Sequence, residues 1–244
     1  VVSDPTSGAD RPGQVVLATR NPGKVGELRD ILAGVLDRAG LELVGLDAFP
    51  GLEDVVESGV TFGQNALLKA RYAAAATRVP ALADDSGLAV DVLHGAPGIF
   101  SARWSGPLGE ATGRSKDEAN NDLLLAQLAD VPDEHRGAEF VCAAALVLPD
   151  RRTPEEVVAA GGASPQVPGT EWVREGRCCG VLGREPRGSN GFGYDPLLVR
   201  PDGRTLAEHT AAEKHAISHR GEAFRTLARD LEALLGPDAG PWSG

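Results

Sequence analysis

Methionine is absent from this sequence, cysteine occurs only three times, and aromatic residues make up 5% of it. The absence of methionine means that no initiator residue opens the chain as it stands. Cys142, Cys178 and Cys179 form no C-x-x-C pair, and the adjacent Cys178 and Cys179 are poor partners for each other. A disulfide framework and a cysteine zinc site are therefore not expected, and a reducing compartment, the cytoplasm, fits. No apolar run approaches the ~20 residues of a membrane span, so no membrane association is expected. The opening residues, VVSDPTSGADRPGQ, lack a basic region followed by an apolar one, so no secretory leader is expected. Basic residues are scarce relative to acidic ones, 24 against 35, for a net charge of −11. Nucleic-acid binders usually carry a basic patch or stripe, so nucleic acid is not an expected partner. An anionic small substrate remains compatible, because a few lysines and a metal reverse the field within one cleft.

The 244 residues, 42% hydrophobic and 24% charged, suffice for one cored domain. Residues 1–14 and 236–244 read as disordered polar tails around a domain at 15–235. Val15–Ala18 reads as a strand. The apolar spacing of Val25, Leu28, Ile31, Leu32, Val35 and Leu36 predicts a helix, with Asn21 as cap and Pro22 in the first turn. Residues 41–46 read as a strand and 62–76 as a helix. Residues 80–93 read as two short strands around an acidic turn. Residues 115–129 read as a helix, 138–148 and 154–160 as strands, 161–171 as a Gly/Pro-rich loop, and 219–235 as an amphipathic helix. The expected fold class is mixed α/β with a central sheet.

Chemistry concentrates in five places. Asp84-Asp85-Ser86-Gly87 offers hard oxygen donors suited to Mg²⁺, although alone it also reads as an acidic surface turn. Thr19, Arg20, Asn21, Pro22, Gly23 and Lys24 lie at a strand-to-helix junction, where free N–H groups, the helix dipole and an ammonium favour phosphate. Neither a P-loop nor a dinucleotide fingerprint is present. Asn65 and Lys69, one helical turn apart, present an amide and an ammonium on one face, with Glu57 just ahead of them. The stretch from Gly188 to Pro196 combines glycines with Phe192, Gly193, Tyr194 and Asp195. That composition suits a loop that closes backbone and a ring onto a flat base. Finally, Lys214, Ser218, His219 and Arg220 set basic donors at the opening of the last helix, where acids are usually preferred.

Taken in order, VVLATRNPGKVGEL (15–28), ESGVTFGQNALLKA (57–70), ADDSGLAVDVLHGAPGIFSARWSG (83–106), EPRGSNGFGYDPL (185–197) and AEHTAAEKHAISHRGEA (207–223) resemble the inosine/xanthosine triphosphate pyrophosphatase family. The resemblance spans about 15–235 and is nearest to the bacterial dITP/XTP branch. It implies an elongated mixed sheet flanked by helices, with two lobes and a cleft between them. It also implies a cytosolic, Mg²⁺-dependent homodimer that cuts ITP, dITP or XTP between the α and β phosphates. On that resemblance, Thr19 through Lys24 bind the triphosphate. Asp85 is the general base and a metal ligand, and Ser86 touches substrate. Glu57 is the second metal-site acid, with Glu53 or Asp54 as competitors. Phe192, Gly193, Tyr194, Asp195, Lys214, His219 and Arg220 form the base and phosphate pocket. Arg20 departs from the small residue common in relatives. Two other readings stand beside this one: a pyrophosphatase for other modified nucleotides, and a nucleotide sensor that does not hydrolyse.

Overall fold

The computed structural model describes residues 13–149, apart from 108, 110 and 112, and residues 171–235. Strand β1 (Gly13–Leu17) begins inside the segment expected to be a disordered tail. Helix α1 (Pro22–Ala39) starts where Asn21 caps it and Pro22 fixes its first turn, and it stops at Gly40, whose φ of 61° suits glycine. Its buried stripe is Leu28, Leu32 and Leu36. Strand β2 (Leu41–Gly45) then pairs parallel to β1. Helix α2 (Phe62–Thr77) is capped by Thr61 and buries Ala66, Ala70, Ala73 and Ala74, small residues that let it lie close to the sheet.

Strand β3 (Ala81–Val90) corrects the sequence reading, which placed an acidic turn inside 80–93. It is one continuous strand, paired over its whole length with β4 (Gly137–Val147). Gly87 does not serve a turn here. A Cβ on it would fall 2.4 Å from Ser101 Oγ and 2.5 Å from the Gly98 carbonyl oxygen, so glycine is required by crowding. Helix α3 (Lys116–Gln127), opened by a Ser115–Glu118 capping box, lies between β3 and β4 in the chain.

Strand β5 (Glu171–Leu182) was not expected from sequence, and Glu171, assigned to a loop, is its first residue. Its Gly176 and Gly180 obscure the strand signal, and both are explained by close approach. A Cβ at Gly176 would meet the His219 carbonyl oxygen at 2.1 Å, and one at Gly180 the Val199 carbonyl oxygen at 2.4 Å. Strand β6 (Leu198–Val199), helix α4 (Ala211–Ile217) and helix α5 (His219–Leu235) complete the described fold. The sequence reading opened one helix near 219 and missed α4 before it. The expected strand at 154–160, the rest of the 161–171 loop, and both tails beyond β1 and α5 lie outside the described residues.

The strands form a six-stranded mixed sheet in the order β2-β1-β3-β4-β5-β6, parallel from β2 to β3 and antiparallel from β3 to β6. Strands β3 and β4 join two apolar regions. At one end the sheet is covered on both faces. On one face Leu82, Cys142 and Leu146 pack with α1 and α5; on the other Ala81, Ala83 and Ala145 pack with α2. At the far end Leu88, Val90 and Phe140 pack with Leu124, Tyr194 and Leu197. Asp84, Asp85 and Ser86 lie on β3 between the two regions.

Candidate active site

Successive strand side chains point to opposite faces, so the two carboxylates of β3 enter different surroundings. Asp84 shares the face covered by α1 and α5. It is buried, accepts from Lys24 Nζ at 3.1 Å on each oxygen, and accepts from Arg220 Nε at 3.2 Å. Burial favours its neutral form, but the cations of Lys24, Arg220 and Lys69 outweigh that and hold Asp84 far below the ordinary carboxylate range. Arg220 is itself buried. Burial works against its charge, yet Asp84 and Glu27 raise its pKa. Its Nη1 reaches Glu27 at 3.3 Å and its Nη2 donates to Ser86 Oγ at 3.2 Å.

Asp85 faces α2. Asn65 Nδ2 donates to it at 2.9 Å, and Lys69 Nζ lies 3.6 Å away. Lys69 also donates to Glu57 Oε1 at 2.7 Å, so one ammonium sits between two acids. Burial raises the Asp85 pKa, the nearby Glu57 and Asp84 add to the rise, and Lys69 and Asn65 oppose it. Burial works against the Lys69 charge, but Asp85 and Glu57 keep its pKa raised. Among the described residues no group of three or more His, Cys, Asp or Glu gathers as a ready metal cage. Mg²⁺ usually takes only one or two carboxylates and completes its shell with water and substrate phosphate. Glu57 and Asp85 supply hard oxygens, and their mutual repulsion is what a dication would relieve, so the donor set fits such an ion. The rival Asp54 accepts from Arg20 Nε at 3.3 Å, whereas Glu57 shares Lys69 with Asp85.

The junction at Thr19–Lys24 forms the entrance to α1. Asn21 Oδ1 accepts from Gly23 N at 2.9 Å and Lys24 N at 3.4 Å, and Thr19 Oγ1 accepts from Asn21 N at 3.2 Å. Two of the N–H groups that the sequence reading left free for an anion are therefore engaged by the cap. Arg20 turns towards Asp47, Asp54 and the Leu52 carbonyl. A cavity of about 290 Å³ opens here, lined by Thr19, Lys24, Glu57, Lys69, Tyr72 and Asp84 among others. Five of the expected site residues, Thr19, Arg20, Lys24, Glu57 and Lys69, thus meet around one space, drawn from the β1–α1 junction, the loop before α2, and α2.

The glycine-rich loop lies across from α4 and α5. Phe192 is 58% exposed, and both the Lys214 ammonium and the Arg220 guanidinium lie over its ring, at 5.0 and 5.8 Å from the centroid. Asp195 is buried and accepts from Phe192 N at 2.8 Å and Lys214 Nζ at 2.6 Å. Gly191 and Gly193 have φ of 81° and 61°, conformations other residues rarely adopt. Tyr194 points the other way. It is buried in the apolar core, and its hydroxyl donates to the Ser101 carbonyl at 3.0 Å. His219 is buried and stacks on Phe140 with 4.9 Å between centroids. Burial, with Arg220 and Lys214 nearby, brings its pKa down to about 3, so the imidazole is neutral. Its Nδ1 has no hydrogen-bond partner among the described residues. Lys214 belongs to α4, and Ser218 lies between the two helices, its Oγ capping α5 through Gly221 N at 3.0 Å. Glu27, Asp117 and Asn121 were missed from sequence. Each lies on a helix whose sequence signals only a cap or a polar face, and only the fold gives it its partner in the site.

A mixed sheet whose central strand carries paired acids into a cleft lined by lysines defines an α/β protein with a charge-rich cleft. The chain belongs to the Ham1 family, whose model matches residues 15–230. It is 56% identical over 227 residues to the dITP/XTP pyrophosphatase of Streptomyces coelicolor, covering 91% of this chain and 99% of that protein. The dITP/XTP pyrophosphatase of Frankia alni is 56% identical over 224 residues, covering 91% and 98%. Among solved structures, a HAM1 protein from Coxiella burnetii superimposes with a TM-score of 0.72 at 36% identity, covering 90% of this chain and 98% of that one. The nucleoside-triphosphatase / dITP/XTP pyrophosphatase from Mycobacterium abscessus gives 0.63 at 46% identity, covering 88% and 98%. Membership of this family implies a mechanism that depends on a divalent metal. No helix among the described residues is long and apolar enough to cross a membrane.

Proposed function

We propose that this chain hydrolyses deaminated purine nucleoside triphosphates, ITP, dITP and XTP, between the α and β phosphates, releasing nucleoside monophosphate and pyrophosphate. The observation that carries this reading is the pairing of Asp85 with Lys69 and Glu57 beside the Lys24-lined cavity. It brings a proton acceptor, hard oxygen donors and ammonium groups close together, as in-line phosphoryl transfer requires.

Lys24 and the Thr19–Gly23 turn receive the triphosphate, and Lys69 adds a second positive charge. Glu57 and Asp85 would hold Mg²⁺, which when bound would neutralise phosphate charge and make a nearby water more acidic. Asp85 accepts the proton of the attacking water. The water oxygen bonds to the α phosphorus as the bond to the bridging oxygen breaks, and the electron pair leaves with pyrophosphate. Lys24 and Lys69 stabilise that charge. Phe192 offers a face for the base, with Lys214, His219 and Arg220 around it and Asp195 holding Lys214. Hypoxanthine and xanthine carry a 6-oxo acceptor and an N1–H donor, whereas adenine presents the reverse. A donor aimed at the 6-oxo group is left unpaired with ATP, a mismatch worth up to ~10⁴-fold.

A homodimer acting in the cytoplasm on the nucleotide pool is the setting this reading implies, and free Cys142, Cys178 and Cys179 accord with a reducing compartment. Pyrophosphate release from dITP, XTP, dGTP, dATP and dUTP, with Mg²⁺, tests the reading. Rapid release from dITP and XTP alone is expected. Release from a different base would overturn the pocket assignment.

A further inference from the structure

The glycine-rich loop is gripped at one residue by a helix that no motif pointed to. Gly193 N donates to Asp117 Oδ2 at 2.7 Å, and Asn121 Nδ2 donates to the Gly193 carbonyl at 3.0 Å. Asp117 and Asn121 stand four residues apart on α3, so they share a face and approach the residue from one side. Asn120, next along, ties the same helix to the segment beside β3. Its Oδ1 accepts from Ser105 N at 2.8 Å, and its Nδ2 donates to the Ser101 carbonyl at 3.2 Å. That carbonyl also accepts from Tyr194, and Ser101 Oγ accepts from Leu88 N at 2.9 Å on the strand that carries Asp85.

We propose that Asp117 and Asn121 are positioning residues for base recognition: their double grip on Gly193 sets where Phe192 and Asp195 stand relative to β3. The inference rests on the pyrophosphatase reading for the identity of the base. Other anchors of the loop come from the opposite side, where Asn190 N donates to the Ala207 carbonyl, Ala207 N to the Asp195 carbonyl, Asn190 Nδ2 to the His209 carbonyl, and Lys214 to the Asp195 carboxylate. Phe192 itself is exposed, so little packing holds its ring. Gly193, at a positive φ with open space where a Cβ would lie, does not lock the backbone by sterics. Polar contacts at Gly193 hold it, together with the Phe192 N–H bond to Asp195 and the two cations over the ring. Asp117 is exposed, so its substitution leaves the core intact.

Asp117→Ala, Asp117→Asn and Asn121→Ala are compared with the unaltered chain by calorimetric binding of dITP and by kcat and KM for dITP, XTP and dATP, with thermal midpoints recorded. Asp117→Ala is expected to weaken dITP binding and raise its KM about tenfold, the scale of a lost hydrogen bond to a charged group, and Asn121→Ala, which loses a neutral bond, about three- to tenfold. The rate at saturation is expected to stay within about twofold, because the lost contact holds the base and not the reacting phosphorus. Preference for dITP over dATP narrows by a similar factor, a change that simple loss of stability would not produce. Asp117→Asn keeps an acceptor for Gly193 N–H and restores most of the affinity. Unchanged affinity and preference in folded Asp117→Ala would overturn the proposal, as would equal losses in Asp117→Asn and Asp117→Ala. If the unaltered chain binds dITP without releasing pyrophosphate, the pyrophosphatase reading fails, and the clamp is still judged by the calorimetric affinities.

Discussion

Lys24 and Asp84 face each other across the floor of the cleft, with the ammonium 3.1 Å from both carboxylate oxygens. Asp84 also holds Arg220, so a single carboxylate on β3 links the start of α1 to the start of α5. The phosphate side and the base side of the proposed site are thus tied through one buried anion. Its neighbour Asp85 points to the other face, where it meets Asn65 and Lys69. Adjacent acids in sequence therefore do different work: Asp84 organises cations, and Asp85 is left with the raised pKa of a proton acceptor.

Asp84→Ala leaves buried Arg220 short of a partner and frees Lys24. Removing one member of a buried ion pair costs about 3–5 kcal/mol, so a loss of that order is expected in urea unfolding. Because the folded pKa of Asp84 is depressed, its contribution is fully present above the unfolded value of about 3.9 and is lost as pH falls below it. Unfolding free energy should therefore decline more steeply below about pH 4 in the unaltered chain than in Asp84→Ala. Parallel acid profiles would show that Asp84 is not held ionised.

Asp85→Asn is expected to lower kcat by about 10²–10⁴, the usual contribution of a general base. Its carboxylate is disfavoured in the fold, as the raised pKa shows, so the amide should leave the unfolding midpoint unchanged or higher. A folded variant with near-normal turnover would remove Asp85 from the chemistry.

Chelation should abolish pyrophosphate release, and added Mg²⁺ should restore it. Glu57→Gln is expected to raise the Mg²⁺ concentration for half-maximal rate about tenfold or more, since Mg²⁺ is held by few carboxylates. Asp54→Asn, which removes one of the partners of Arg20, is expected to shift it far less. The opposite ranking would move the second acid to Asp54.

Gly176→Ala tests how β5 seats α5. The new methyl would press on the His219 carbonyl oxygen, 2.1 Å away, and on Ala223 N, 2.5 Å away. Overpacking of this kind costs about 1–3 kcal/mol. Displacement of His219 and Arg220 should raise KM as well. Stability loss with unchanged KM would mean that the start of α5 does not set substrate affinity.

The long helices announced themselves in the sequence because apolar spacing and caps are local, whereas the seven-residue α4 is too short to show a stripe. Asn21 with Pro22 marks α1, and the stripe ending in Leu231 marks α5. Strands β3 and β5 were harder. Gly87, Gly176 and Gly180 are there for close approach of distant backbone, and the chain alone shows only their turn-like composition. The cleft followed the same rule. Lys24, Asp85 and Phe192 could be picked out because they sit within dense motifs. Asp117 and Asn121 gain their partners only when α3 folds against a distant loop, and Glu27 only when α1 packs on α5. The separate roles of Asp84 and Asp85 became visible only once their run proved to be strand, because alternation along a strand sends neighbours to opposite faces.

The most direct measurement is pyrophosphate release with Mg²⁺ from dITP and XTP alongside dATP, dGTP and dUTP, for the unaltered chain and for Asp85→Asn. The expected result is rapid release from dITP and XTP only, lost in Asp85→Asn while the fold persists. Release that persists undiminished in Asp85→Asn, or none from dITP and XTP in the unaltered chain, would contradict it.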